Sequence, residues 1–141
     1  MRRVVIAAAV VLVLGLGLCG VASAQTGVVI NPTTVEFDPS ADHARMGLDG
    51  QPLVARYELR IFAQGAAQPI TVYDLGKPEP GGNGKITIVN RNYFLTALLM
   101  NVPYTGRVSA IGPTGEGVSD PSNPFGNQGP PAAAGSVVVR Q

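Results

Sequence analysis

The sequence predicts an all-β protein, an antiparallel β-sandwich of about seven strands. Two features of the residues carry this expectation. Apolar and polar side chains alternate with period two over several short stretches, the pattern of a strand with one face on a core and one in water. In addition, 18 glycines and 12 prolines interrupt the 141 residues too often for long helices. The stretches recur at short intervals with turn residues between them, which is the spacing of a sandwich.

The N-terminus stands apart from this pattern. Arg2 and Arg3 precede an uncharged run of Val, Leu, Ile, Ala and Gly over residues 4–18, and Val21-Ala22-Ser23-Ala24 follows. A positive start, an apolar middle and small residues before a cut make a secretory signal, here residues 1–24, with cleavage expected between Ala24 and Gln25. The alternative is an uncleaved anchor, since counting on to Ala22 gives a run just long enough to cross a bilayer. Gly and Ala content and the good cleavage site favour removal. Cys19 is the only cysteine. Leu18 precedes it where a lipid-attachment signal needs a small residue, so Cys19 reads as part of the leader. The remaining chain then has no disulfide, and its core must hold it together unaided. The expected location is secreted or periplasmic, with a membrane-anchored form as the alternative.

Each element of the domain, residues 25–125, follows from local pattern. In residues 33–38, Val35 and Phe37 alternate with Glu36 and Asp38, a half-buried strand that ends at Pro39. Residues 39–52 form a loop rich in Asp, Gly and Pro. Residues 53–63 are the clearest strand, with Leu53, Ala55, Tyr57, Leu59 and Ile61 on one face and Arg56, Glu58 and Arg60 on the other. Residues 69–74 make a further short strand. Residues 77–84 form a Pro/Gly loop, and residues 85–89 are a β-branched strand. Residues 91–102 fit either a short helical turn, through Phe94, Leu95, Leu98 and Leu99, or a buried strand. In residues 104–111, Tyr104, Gly106, Val108 and Ala110 face inward, and Thr105, Arg107 and Ser109 outward. Residues 112–117 form a turn. The Pro/Gly/Ala-rich tail, residues 126–141, is expected to be disordered, with residues 137–139 as a loose apolar patch that could dock on a domain edge.

Two segments resemble a fibronectin type III domain. Leu98 precedes Tyr104 by six residues, Val108 and Ala110 follow it on the same face, and a Gly-containing loop and Ser119 come next. A second segment pairs Phe37 and Pro39 with the strand Tyr57-Glu58-Leu59-Arg60-Ile61. The resemblance covers residues 27–125 and rests mainly on core positions. It implies a Tyr104 ring buried at a corner with its hydroxyl returned to backbone. It also implies that the loops 39–52 and 112–117 lie at one end. The chain departs from the family in having Phe37 where a Trp is usual, a short first strand, and a last strand containing Pro121 and Pro124. An unrelated immunoglobulin-like sandwich is the alternative fold.

Chemistry is sparse. His43 is the only histidine, so metal clusters and Ser-His-Asp constellations have few ways to form. Gly81-Gly82-Asn83-Gly84 lacks the Gly-Lys-Ser/Thr ending of a phosphate loop. Loss of Arg2 and Arg3 with the leader takes the formal charge from +1 to −1, and no basic run remains to neutralise nucleic-acid phosphates. No catalytic residue, metal or cofactor is expected. The candidate binding residues are Asp42, His43 and Arg45 in the first long loop and Glu116 in the late one. The expected function is a non-catalytic interaction module of the cell envelope or outside, with an unidentified protein partner. The alternatives are a carbohydrate-associated module, which needs exposed aromatics such as Tyr73 and Tyr93, and a passive spacer.

Overall fold

The computed structural model describes residues 27–131. The leader, Cys19, the cut between Ala24 and Gln25, and residues 132–141 of the expected tail lie outside the described residues. Eight strands and one helical turn follow in order: β1 (Val29–Ile30), β2 (Thr34–Phe37), β3 (Arg56–Ala63), β4 (Thr71–Gly76), β5 (Ile86–Val89), α1 (Asn92–Leu95), β6 (Tyr104–Gly112), β7 (Gly115–Val118) and β8 (Phe125–Gly126). They form two sheets. The larger runs β1-β8-β6-β3-β4, with β7 also on β6, and the smaller is the antiparallel pair β2-β5. The protein is all-β.

The central pair β3-β6 is antiparallel from Arg56↔Ile111 to Ala63↔Tyr104. Tyr57, Leu59 and Ile61 alternate inward, as the sequence predicts, and all three are buried. They divide the core into two clusters. Leu59 and Ile61 pack with Phe94, Leu98, Tyr104 and Phe125, while Tyr57 packs with Val54 and Ile86. Val35 and Phe37 of β2 reach these clusters from the smaller sheet, one each, so the two sheets face each other across the core. The segment 91–102 resolves as the helical turn α1. Phe94 within it and Leu98 in the irregular segment after it are both buried, and Leu99 is exposed.

Three expectations need correction. The alternation of β3 does not extend back to Leu53. The strand begins at Arg56, and ahead of it Val54 is buried while Ala55 is exposed. Leu53 N–H is bonded to Arg45 O and Ala55 N–H to Ile111 O, so the backbone here follows the loop and the hairpin end. Ser109, placed on the outward face of its strand, is nevertheless fully buried. It is a small side chain in a central strand between Glu58 of β3 and Val118 of β7, and its taller neighbours cover it. Finally, Gly126 and Asn127, at the start of the expected tail, are buried parts of the fold. Gly126 pairs with Ile30, and Asn127 O accepts from Asn101 N–H.

The outer face of the larger sheet carries a charge ladder. Glu58 accepts from Arg56 at 2.8 Å and from Arg60 at 3.0 Å, and Arg60 also reaches Glu116 of β7 at 2.6 Å. Hydrogen bonds from Arg56 and Arg60 hold the Glu58 carboxyl below its ordinary 4.5. A depressed carboxyl contributes stability that is present above the unfolded value and lost as pH falls through the folded one. Glu58→Gln is therefore expected to lower stability at neutral pH by about 1 kcal/mol or less, as such partly exposed pairs do. The deficit should shrink to nothing in acid below the folded value. Urea midpoints of both forms across the acid range check this; a deficit independent of pH would contradict it.

Candidate interaction groove and strand edge

A two-stranded sheet cannot cover a sheet several strands wide when neighbouring strands lie about 4.8 Å apart. The uncovered part of the larger sheet is an open groove of about 580 Å³. Its lining is chiefly apolar: Val35 and Phe37 from β2, Leu59 from β3, Val108 and Ala110 from β6, and Phe94 and Phe125 at one end. The opening explains why Val35, Phe37, Val108 and Ala110, all inward-facing by pattern, are only half-buried.

One wall of the groove is the free edge of β2. Among the described residues β2 pairs only with β5, in the register Thr34↔Val89 to Phe37↔Ile86. Asn90 N–H donates to Thr33 O at 2.9 Å. Antiparallel pairs alternate between bonded and non-bonded, so Thr33, Val35 and Phe37 turn their backbone groups toward β5. Thr34 and Glu36 turn theirs toward the open edge. Unpaired N–H and C=O groups beside an apolar trough form a template for another strand.

The opposite wall is the segment between β7 and β8. Here the sequence repeats Ser119-Asp120-Pro121 and Ser122-Asn123-Pro124. The prolines cannot donate to a ladder, and the last strand splits in two around them. The serines complete the edge of β6 instead. Ser119 N–H donates to Val108 O, and its hydroxyl accepts from Val108 N–H at 3.0 Å. Ser122 does the same for Gly106, with its hydroxyl accepting at 2.9 Å. Each hydroxyl donates in turn to the next carbonyl, Asp120 O or Asn123 O, at 2.8 Å. This wall was missed from the sequence, although the three-residue repeat was there to be seen. Asp120 joins Glu36 and Asp38 among the groove residues, giving it acidic members.

The four predicted binding residues do not line the groove. Asp42 and Arg45 pair with each other at 2.7 Å across one turn of the first long loop. His43 faces inward, only 8% exposed, with its ring stacked 5.8 Å from that of Tyr57. Its Nδ1 lies 2.9 Å from the Tyr57 hydroxyl. That hydroxyl also accepts from Ser40 N–H at 3.1 Å, and on the other side of the ring Nε2 lies 3.7 Å from the Glu79 carboxylate. Burial pushes the Tyr57 hydroxyl above its ordinary 10.0, against the Ser40 bond. His43 thus pins the first loop to the core. Glu116 is bonded to Arg60 on the outer face. At the start of the late loop the Gly112 backbone abuts the carbonyl of Leu53, the residue that follows the first long loop.

The residues behind the resemblance have core roles. Tyr57, Leu98 and Tyr104 are buried, and Phe37, Val108 and Ala110 pack against the clusters. The Tyr104 hydroxyl accepts from Leu99 N–H at 3.0 Å, the return to backbone that the resemblance implies. Tyr73 and Tyr93 stack on each other at 4.7 Å and are half-buried against the first cluster, so their facing ring surfaces are already occupied. Among the described residues no three His, Cys, Asp or Glu side chains gather in a metal-holding group, and no helix is long and apolar enough to cross a membrane. No protein-family model, curated protein or solved structure matches the chain.

Proposed function

We propose that this chain is an exported, non-catalytic interaction module, of fibronectin type III or related immunoglobulin-like type, that works at the cell envelope or outside. It binds by accepting an extended polypeptide segment as a third strand along β2. The observation that carries this reading is the free edge of β2 beside the 580 Å³ apolar groove. Main-chain bonds to Thr34 and Glu36 supply affinity, and alternate side chains of the added strand enter the trough over Leu59 and Val108. The tripartite N-terminal sequence supports export, and the Tyr104 corner bond supports the fold type.

The test uses the chain ending at Pro131, which retains every strand of the described residues and both core clusters. A synthetic peptide of alternating Val and Thr is titrated by fluorescence anisotropy, with a scrambled Gly/Ser peptide as control. Binding of the alternating peptide in the micromolar range, about 8 kcal/mol, is the expected result. Equal and negligible binding of both peptides up to millimolar concentration would sink the reading. Retention of polysaccharide alone would move it to the carbohydrate class.

A further inference from the structure

We infer that the strand accepted by the groove is cationic, with Lys or Arg on its outward face opposite Glu36 and apolar residues on the face that enters the trough. The inference rests on the strand-accepting role of β2 proposed above and names the chemistry of the partner.

The charged residues that line the groove are all acidic: Glu36, Asp38 and Asp120. They differ in whether that charge is already answered. Asp38 is paired with Lys85 Nζ at 3.1 Å. Glu36 accepts from the Thr87 hydroxyl, a neutral donor, at 3.4 Å. On the opposite wall Arg107 donates to the Ser119 carbonyl and not to Asp120. Among the described residues neither Glu36 nor Asp120 forms an ion pair. The groove therefore presents two unanswered carboxylates and no cation of its own.

Their placement matters as much as their sign. Val35 packs on the first core cluster, Phe37 on the second, and Val108 on both. Glu36 lies between Val35 and Phe37, so it stands near the level of Val108. Ser119 is bonded to Val108 through its N–H and its hydroxyl, which holds Asp120, the next residue, near that same level on the far wall. An added strand thus runs between two carboxylates, one on each side.

Register decides which of its side chains meet them. Glu36 turns its backbone groups toward the open edge, so a bonded residue of the added strand stands directly opposite it. Residues so paired carry their side chains on one face of the sheet, with Cβ atoms about 5 Å apart. The residue opposite Glu36 therefore points outward with it, and the residues on either side point into the trough. Opposite charges in such a pair are stabilising and like charges destabilising. The trough takes apolar residues of some size, because Gly106, Val108 and Ala110 line it from β6 with small side chains. An alternation of apolar and basic residues satisfies both faces. An acidic strand of the same pattern is selected against.

The experiment uses the full chain and three peptides: the alternating Val/Thr peptide, one with its two central Thr changed to Lys, and one with them changed to Glu. Affinities are read by fluorescence anisotropy at about 50 mM and about 1 M salt, where screening lengths are about 14 Å and about 3 Å. At the lower salt the Lys peptide is expected to bind at least about 10-fold more tightly than the Glu peptide. The gap should narrow at the higher salt. The double variant Glu36→Lys, Asp120→Lys is expected to invert the order. Both side chains are exposed, so its urea midpoint should move little. Equal affinity for the Lys and Glu peptides, with the Val/Thr peptide bound, would overturn the inference and leave the strand-accepting edge standing. A preference for Lys that survives the charge swap would overturn it too, by placing the cation elsewhere. Absence of binding by all three peptides would remove the strand-accepting edge, and this inference with it.

Discussion

Replacing Gly112 by Ala is expected to cost about 3 kcal/mol, a large part of the stability of a domain this size. The reason is space and not backbone freedom. Gly112 ends β6, opposite Gly115 in the hairpin. A Cβ there would run into the Leu53 carbonyl oxygen, with the carbonyl carbon 3.1 Å away. Both obstacles are backbone, and this backbone is held: Leu53 N–H is bonded to Arg45 O, and Ala55 N–H to Ile111 O. Relief therefore requires the first long loop to separate from the hairpin. Gly117→Ala, two residues beyond Gly115 on β7, meets nothing within 4 Å and should change stability by no more than about 0.5 kcal/mol. Urea midpoints of the two variants make the comparison. Equal effects would show that the loop and hairpin are not in contact.

The second large effect is on binding. Glu36→Pro is expected to weaken the alternating Val/Thr peptide at least about 10-fold while moving the urea midpoint little. Proline lacks the N–H that Glu36 turns toward the open edge, and edge strands tolerate it there. The bonds of β2 to β5 run through Val35 and Phe37 and are unaffected. Val35→Pro is the converse variant. It removes a bond within the smaller sheet and is expected to lower stability as well as binding. Anisotropy titrations with folded stability measured alongside separate the two. Equal affinity of Glu36→Pro and the parent chain would mean that ligands do not pair with this edge.

Much of the fold was legible because its signals are local. The alternation of Tyr57, Leu59 and Ile61 against Arg56, Glu58 and Arg60 fixes a face by period alone, and the resemblance around Leu98 and Tyr104 implies a hydroxyl returned to backbone, which in the fold accepts from Leu99 N–H. The misreadings arose where tertiary neighbours decide. Ser109 is buried because it stands between Glu58 and Val118, which no window around Ser109 contains. Val54 is buried where the backbone on its two sides is held, Leu53 N–H by Arg45 O of the first long loop and Ala55 N–H by Ile111 O of β6.

The site was less legible, for a similar reason. Polar, histidine-containing loops attract attention in a sequence, and Asp42, His43 and Arg45 stand out on that ground. In the fold they neutralise one another or pin the loop to Tyr57. The groove is made of ordinary core residues that lack a cover, and a missing cover leaves no mark on the residues beneath it. Only the far wall had a signature, since Ser119 and Ser122 each sit two residues before a proline that breaks the last strand and supply the hydroxyls that mend it.

The central claim is that the β2 edge pairs with an incoming strand, and amide hydrogen exchange at Thr34 and Glu36 tests it most directly. In the chain ending at Pro131 both amides face the open edge and should exchange fast, while Val35 and Phe37, bonded to β5, should exchange slowly. Saturation with the alternating Val/Thr peptide is predicted to slow Thr34 and Glu36 at least about 10-fold and to leave Val35 and Phe37 nearly unchanged. Bound peptide with Thr34 and Glu36 still exchanging at their free rates would contradict the account.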